Sequence, residues 1–133
     1  MLRLEIVTPE KRVFDAEVDS VTVMTATGEA GILPNHAPLI SALKPGILTY
    51  SSKGASDKLA ISGGFVEVNG NNVSVLADTA FAAEDIDVAE AKADKEAAEK
   101  AFAAVAAGAI EDTEFARNQI EAANVRIQLA AGK

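Results

Sequence analysis

The sequence predicts an N-terminal antiparallel β-sandwich over residues 1–84 and a C-terminal α-helical hairpin over residues 85–133. Three observations support this organisation. Hydrophobic residues alternate with a period of two up to about residue 80, as in half-buried strands. Gly, Pro and Asn residues mark turns at short intervals in the same region. Beyond it alanine dominates, glycine nearly disappears and the period becomes helical. Many short strands joined by regular turns are typical of a sandwich.

Strands are predicted wherever the alternation is regular. Leu2, Leu4 and Ile6 share one face of the first strand. The others are expected over 13–16, 18–27, 47–52, 59–62, 65–68 and 73–76, with a run that ends at residue 43 and a polar loop at 53–56. Asn69-Gly70 predicts a hairpin turn, and the pair Gly63-Gly64 predicts a bulge or a close approach between backbones.

Segment 28–39, of sequence GEAGILPNHAPL, is predicted to be a stiff surface turn between two strands. Its glycines permit tight or left-handed backbone, whereas Pro34 and Pro38 fix φ and bias the preceding residues towards extended conformations. Asn35 and His36 form the polar tip. A stiff, exposed loop on a strand scaffold is well suited to contact a partner.

Two antiparallel helices are predicted in the C-terminal part. Asp85 is the expected N-cap of the first helix and Gly108 its end, and Asp112 is the expected cap of the second. A short connection makes the two helices neighbours. The expected apolar stripes are Ala91, Ala98, Phe102 and Val105, then Ile86, Ala93, Ala97 and Ala101, and on the second helix Ala116, Ile120, Ala123, Ile127 and Ala130.

The alanine content of this hairpin bears on its dynamics. Alanine has the highest intrinsic helix propensity, so each helix keeps its stability when separated from a partner. An alanine buries only a methyl group, whereas a buried Leu or Phe contributes about 1.5–3 kcal/mol. We therefore expect stable helices that dock weakly and exchange between a folded-back and an extended state. A static helical cap is the alternative on these residues alone.

Composition excludes several classes of function. The formal net charge is −8, which argues against a nucleic-acid partner and against adhesion to an anionic membrane surface. The absence of cysteine excludes disulfides and thiolate metal sites. No uncharged apolar run approaches the roughly 20 residues that span a bilayer, and the N-terminus alternates as a strand instead of forming a signal peptide. Any membrane association is therefore expected to occur through a partner.

No catalytic constellation is evident. His36 is the single histidine, and no motif supplies an orienting acid, a nucleophile or a second metal ligand, so a contact or structural role is favoured. The acids Glu84, Asp85, Asp87 and Glu90 lack the ligand spacing of a calcium loop and are better explained as helix-start acids. The glycines at 28 and 31 lack the Lys-Ser/Thr of a phosphate-binding loop. A subunit or binding module is expected, not an enzyme.

An ordered set of short motifs resembles the epsilon subunit of the bacterial F-type ATP synthase. The set comprises segment 28–39 with its flanks Val7-Thr8-Pro9, Val13-Phe14, residues 21–27, Leu43-Lys44-Pro45-Gly46, Ile61-Ser62-Gly63-Gly64-Phe65 and residues 73–78. Order and spacing agree from residue 2 to about residue 87, and an alanine-rich helical tail follows where the family has one. Each piece is a weak signal, but the ordered set is specific.

The resemblance implies a non-catalytic rotor subunit of the central stalk. In the family the sandwich binds the gamma shaft and sits on the polar loops of the c-ring, which couples proton-driven rotation to ATP synthesis. The resemblance therefore assigns Glu29, Ile32, Pro34, Asn35 and His36 to the c-ring and gamma contact. The family's hairpin extends along gamma to the alpha/beta catalytic head and restrains ATP hydrolysis. The expected location is the cytoplasmic face of the bacterial inner membrane, as a peripheral protein.

Two departures from the family pattern concern the hairpin. Some members bind ATP through a motif Ile/Leu-Asp-x-x-Arg-Ala, which corresponds here to Ile86, Asp87 and Ala91, with Glu90 at the arginine position. Since this reverses a charge that should face phosphate, ATP is disfavoured as a regulatory ligand, and no cofactor is expected. Inhibitory hairpins also use basic residues, for which Arg117, Arg126 and Lys133 are the candidates here, so mild inhibition is expected.

Two other hypotheses remain open from the residues alone. The chain could be a stand-alone ligand-binding β-module whose helices form a fixed lid. It could also be a small hydrolase that uses His36, although the partners for such chemistry are missing. Recovery of a gamma-like partner in a pull-down distinguishes the rotor subunit from both.

Overall fold

The computed structural model describes residues 1–105 and 110–131. The described residues form ten strands, a single 3-10 turn at Ala83–Asp85 and two helices. The strands are β1 (Leu2–Val7), β2 (Arg12–Val18), β3 (Ser20–Thr25), β4 (Gly28–Ile32), β5 (Leu39–Leu43), β6 (Gly46–Ser52), β7 (Ala55–Ile61), β8 (Gly64–Asn69), β9 (Asn72–Ala77) and β10 (Ala80–Ala82). The helices are α1 (Val88–Val105) and α2 (Ile110–Ala131).

The strands form one continuous sheet that folds over into a nearly closed sandwich. The order is β10-β7-β6-β3-β5-β8-β9-β1-β2, and β4 pairs with β3 outside this path. The Phe14 ring of β2 lies 4.5 Å from the Tyr50 ring of β6, centroid to centroid, so the last strand in the order packs near the third. The predicted sandwich followed by a helical hairpin is confirmed. One ladder differs from the all-antiparallel prediction, because β1 and β9 pair in parallel.

Aliphatic side chains fill the core, as the low aromatic content requires. The alternation in β1 buries Leu2, Leu4 and Ile6 completely, and Val73 and Val75 of the neighbouring β9 are buried beside them. Each such side chain contributes about 1.5–3 kcal/mol relative to an exposed one. The period of two in the sequence is thus the direct record of which face meets the core.

Most strand predictions are confirmed, with local differences at the ends. The predicted strand 18–27 is divided, because β2 ends at Val18 and β3 begins at Ser20. The predicted polar loop 53–56 is only a two-residue turn, since β7 already begins at Ala55. Lys53 and Gly54 both adopt positive φ, of 53° and 83°, which matches the right-handed twist of the flanking strands.

The close backbone approach predicted at Gly63-Gly64 is present. Both residues have positive φ, of 139° and 133°. A Cβ atom on Gly64 would lie 2.0 Å from the Leu76 carbonyl oxygen, so only glycine fits between β8 and β9 at this point.

The helix starts differ from the predictions. Asp87, not Asp85, caps α1: its Oδ1 accepts a hydrogen bond of 3.1 Å from the Glu90 N–H, whereas Asp85 lies in the preceding 3-10 turn. Asp112 lies inside α2, which begins at Ile110, so it does not cap this helix. The predicted stop at Gly108 lies outside the described residues. The proposed boundary between residues 84 and 85 falls in the 3-10 turn and stays a prediction.

The two helices pack through alanine. Ala91 and Ala98 of α1 and Ala116 and Ala123 of α2 are buried, which agrees with two of the three predicted stripes. The third predicted stripe is wrong at Ala93, Ala97 and Ala101, which are exposed. In a two-helix hairpin only one face of each helix packs against the other helix, so a second stripe on α1 stays at the surface. Among the described residues, neither helix combines the length and the apolar character needed to cross a membrane.

Candidate functional site

The segment between β4 and β5 forms a tight projecting loop. The His36 N–H donates to the Leu33 carbonyl at 3.2 Å and closes a turn at the tip. Asn35 adopts the left-handed conformation with φ of 67°, a region that Asn tolerates better than most residues. Pro34 and Asn35 are exposed in this loop and His36 is half-buried, whereas the exposed Glu29 lies within β4, paired with Met24 of β3, and not at the tip. The predicted strand–turn–strand is therefore present, with its polar tip at the surface.

The His36 ring has a defined orientation. Its Nδ1 lies 2.7 Å from the Ala37 carbonyl oxygen, and this hydrogen bond requires the proton on Nδ1. In the neutral ring Nε2 is then left as an acceptor for a partner. No described acid or nucleophile is hydrogen-bonded to the ring.

Ile32 differs from its predicted role. Its side chain has 0% exposure and belongs to the sandwich core, so it presents no surface to a partner. The physical reason is its position as the last residue of β4, paired with the buried Val21 of β3. Ile32 anchors the loop to the core, and Leu33, the next residue, is the exposed one.

An exposed apolar patch on the outer face of the sheet was not predicted. Phe65 of β8 and Leu76 of β9 pair across the strands with exposures of 57% and 58%, and Val7 of β1 pairs with Leu76. Ile40 of β5 is 73% exposed on the same sheet. The signal was in the alternation, because Phe65 and Leu76 are out of phase with the buried Val residues of their own strands. Contiguous exposed apolar residues mark interaction surfaces.

The hairpin lies against the sandwich through α2. Val125 and Leu129 of α2 are buried with Ala60 of β7, and Ile47 and Ile86 pack against this group. This apolar contact is small compared with the sandwich core, as the alanine content predicted. The hairpin is therefore held against the sheet by only a few large side chains.

Arg126 connects three elements at this junction. Its Nη2 donates to Asp94 Oδ2 of α1 at 3.0 Å, and its guanidinium carbon lies 5.8 Å from the centre of the Phe81 ring of β10. The Arg126 side chain is only 18% exposed and that of Asp94 is 50% exposed. Arg117, the other predicted hairpin cation, is exposed and lies 5.8 Å above the Phe102 ring.

A cavity of about 450 Å³ lies between the sandwich and the hairpin. Asp78, Phe81, Asp94 and Arg126 are among the residues that line it. Ile86, Asp87 and Ala91 do not line it: Asp87 caps α1, and Ala91 is buried against α2. The structure therefore does not bring the three residues of the degenerate nucleotide motif together with the cavity. Among the described residues, no group of three or more His, Asp or Glu is placed to hold a metal ion.

Comparisons with known proteins agree with the fold and with the ordered motifs. The family described as ATP synthase, Delta/Epsilon chain, beta-sandwich domain matches residues 1–83. An ATP synthase epsilon chain of Desulforamulus reducens is 55% identical over 98 residues, which is 74% of each chain. Another, of Geotalea uraniireducens, is 42% identical over 132 residues and covers 98% of this chain and 94% of that one.

Two solved structures share the fold, and one of them covers the hairpin as well as the sandwich. A chain in the cryo-EM structure of the Euglena gracilis mitochondrial ATP synthase OSCP/F1/c-ring assembly superposes with a TM-score of 0.77 and 25% identity, over 99% of this chain and 81% of that one. A chain of the Tetrahymena thermophila central stalk/c-ring assembly shares the fold at a TM-score of 0.55 and 20% identity, over 62% of this chain and 67% of that one. On the match over residues 1–83 and the relatives that cover 74% and 98% of this chain, the chain belongs to the epsilon chain family of the bacterial F-type ATP synthase.

Proposed function

We propose that this chain is a non-catalytic central-stalk subunit that links the gamma shaft to the c-ring, couples proton flow to ATP synthesis and modulates ATP hydrolysis through its hairpin. The observation that carries this proposal is the similarity over 99% of the chain to a protein solved inside an F1/c-ring assembly, together with the family match over the sandwich. The exposed polar loop and the exposed apolar patch supply two distinct contact surfaces.

The polar loop is the proposed contact with the c-ring. Pro34, Asn35 and His36 present a rigid ring, an amide and an imidazole acceptor at the tip of the loop, and the exposed carboxylate of Glu29 lies in the preceding strand β4, paired with Met24 of β3. Such groups suit the polar loops of a membrane ring, because hydrogen bonds between them can fix the orientation of the two partners without a large buried apolar surface. Ile32 supports this loop from within the core.

The apolar patch around Phe65 and Leu76 is the proposed contact with gamma. These side chains are large, exposed and paired on a rigid sheet, which is typical of the centre of a protein interface. The polar loop lies near the Asn69–Asn72 end of β8 and β9, whereas the cavity beside the hairpin lies at their Gly64–Ala77 end. The ring contact and the hairpin junction are therefore at opposite ends of these strands.

The hairpin is the proposed regulatory arm, which reaches the alpha/beta head when it extends along gamma. Arg117 is exposed in the folded-back state, but Arg126 is paired with Asp94 of α1 and is released only when α2 separates from α1. Among its described residues α2 has few exposed cations, which supports the expectation of mild inhibition. ATP is disfavoured as a regulatory ligand because Glu90 is acidic and the cavity lining includes Asp78 and Asp94. We infer a peripheral location at the cytoplasmic face of the bacterial inner membrane, through the complex alone.

Reconstitution tests the proposal. The full chain is added back to an ATP synthase that lacks this subunit, and proton pumping is measured per ATP hydrolysed. We expect the wild-type chain to restore coupling and the double variant Glu29→Gln, His36→Ala to restore it only in part. Glu10→Gln, an exposed acid in the β1–β2 turn, is the matched control. Failure of the wild-type chain to restore coupling would refute the proposal.

A further inference from the structure

The β4–β5 loop is tied to the β8–β9 turn by a side chain. The Asn35 N–H donates to Asn71 Oδ1 at 2.7 Å, across 36 positions of sequence. At the tip itself, the described backbone hydrogen bond is the one from His36 to Leu33, at 3.2 Å. The bond to Asn71 is therefore the shorter of the two and the one that joins the tip to another element.

Asn71 is itself fixed to the sheet. Its backbone carbonyl accepts a hydrogen bond of 2.8 Å from the Arg3 N–H of β1. It lies between the last pair of the β8–β9 ladder, Asn69 and Asn72, and follows Gly70, which has a φ of 62°. The acceptor that holds the loop thus belongs to a tight hairpin turn anchored to a third strand.

The same arrangement occurs at a second strained position. Asn35 and Lys53 are the two described residues other than glycine with positive φ. The Lys53 N–H donates to Asp19 Oδ2 at 2.9 Å, again an acceptor from a different connection. Both left-handed residues therefore have their amide held by a side-chain oxygen from elsewhere in the sandwich, which compensates a conformation that is sparsely populated without support.

We propose that Asn71 is the positioning residue of the ring-contact loop, whose amide oxygen holds Asn35 in the left-handed conformation and so presents Pro34 and His36 to the polar loops of the c-ring. This inference rests on the function proposed above. Without the acceptor, the Asn35 amide turns to water and the tip samples other conformations. Because only the held conformation fits the partner, apparent affinity falls with its population.

The first experiment concerns the isolated full-length chain and does not depend on any partner. Amide exchange at Asn35 is measured by NMR in the wild type, in Asn71→Ala and in Asn71→Asp, whose carboxylate retains an acceptor. A hydrogen bond of this class shifts an opening equilibrium by a factor of roughly 5. We expect exchange to be about fivefold faster in Asn71→Ala and near the wild-type rate in Asn71→Asp. Asn69→Ala in the same turn is the matched control, and the denaturation midpoint of Asn71→Ala should fall by no more than the loss of one hydrogen bond explains.

The second experiment measures the affinity of each full-length variant for a gamma–c-ring subcomplex. We expect Asn71→Ala to weaken binding about two- to fivefold and Asn71→Asp to rescue it. Unchanged exchange at Asn35 in Asn71→Ala overturns the inference. Faster exchange with unchanged affinity also overturns it, and leaves the proposed function standing if the Glu29→Gln, His36→Ala variant binds more weakly. If neither variant changes affinity, the loop is not the ring contact and both assignments are wrong.

Discussion

Arg126 is the residue whose change is expected to release α2 from both α1 and the sheet with the least effect on the sandwich. Replacement by methionine keeps an unbranched stem in the same place and removes the charge. The change deletes the 3.0 Å ion pair with Asp94 and the contact with the Phe81 ring. In an extended state in which α2 has left both α1 and the sheet, both contacts are lost, so the folded-back state should lose stability relative to that state while the sandwich core is untouched.

The magnitude follows from the exposure of the groups. Asp94 is 50% exposed, so solvent screening limits the ion pair to about 0.5–1 kcal/mol. The cation–π contact of a largely covered guanidinium adds roughly 0.5–1 kcal/mol. Together these terms predict a loss of about 1–2 kcal/mol, which increases the ratio of extended to folded-back chains roughly 5- to 30-fold.

The assay is a distance measurement between two labels. The chain has no cysteine, so Lys58→Cys and Gln128→Cys introduce unique sites on the two walls of the groove between β7 and α2. We expect the short-distance population to fall in Arg126→Met and in Asp94→Asn, and the double variant to show less than the sum of the two effects. Glu96→Gln, which breaks the exposed pair with Lys100 within α1, should leave the distances unchanged. An unchanged distribution in Arg126→Met would refute this account of docking.

Two further predictions concern the sandwich. Gly64→Ala should lower the free energy of unfolding, measured with urea, by about 3 kcal/mol or more. The reason is that a Cβ would lie 2.0 Å from the Leu76 carbonyl oxygen at a φ of 133°. Gly31→Ala is the control and should be near neutral, because its Cβ would meet nothing within 4 Å. Burial, followed by the charge and the hydrogen bond of Asp57, raises the pKa of Tyr50. Because the pKa of Tyr50 is higher in the folded state than in the unfolded state, its contribution to stability is complete below the ordinary pKa of about 10. This contribution is lost as the pH rises through the folded-state pKa. Relative to Tyr50→Phe, the wild type should therefore lose stability above about pH 10. The absorbance of the single tyrosine should show the raised pKa, and Asp57→Asn should bring that pKa closer to its ordinary value.

The fold was largely predictable because its signals are local. Alternation identifies the faces of β1, β8 and β9, and the glycine pair at 63–64 identifies the close approach of two backbones. The parallel pairing of β1 with β9 was not predictable, because nothing in either strand distinguishes a parallel from an antiparallel neighbour far along the chain. The cap of α1 at Asp87 was missed because several acids precede the helix and each is a suitable cap.

The candidate site was predictable in place but not in detail. Two prolines and an Asn-His tip marked the loop, yet the burial of Ile32 depends on its register with β3, which a single sequence does not fix. The tie between Asn35 and Asn71 and the link between Arg126 and Asp94 join residues more than 30 positions apart. Such contacts follow from the topology of the sheet and from the docking of α2, and no local sequence pattern predicts them.

The most direct test of the central claim is binding of the purified full-length chain to a gamma–c-ring subcomplex, followed by sedimentation. We expect the chain to sediment with the subcomplex, and the double variant Phe65→Ser, Leu76→Ser, on the exposed face, to remain in the supernatant. A wild-type chain that stays in the supernatant with the subcomplex in excess would contradict this claim.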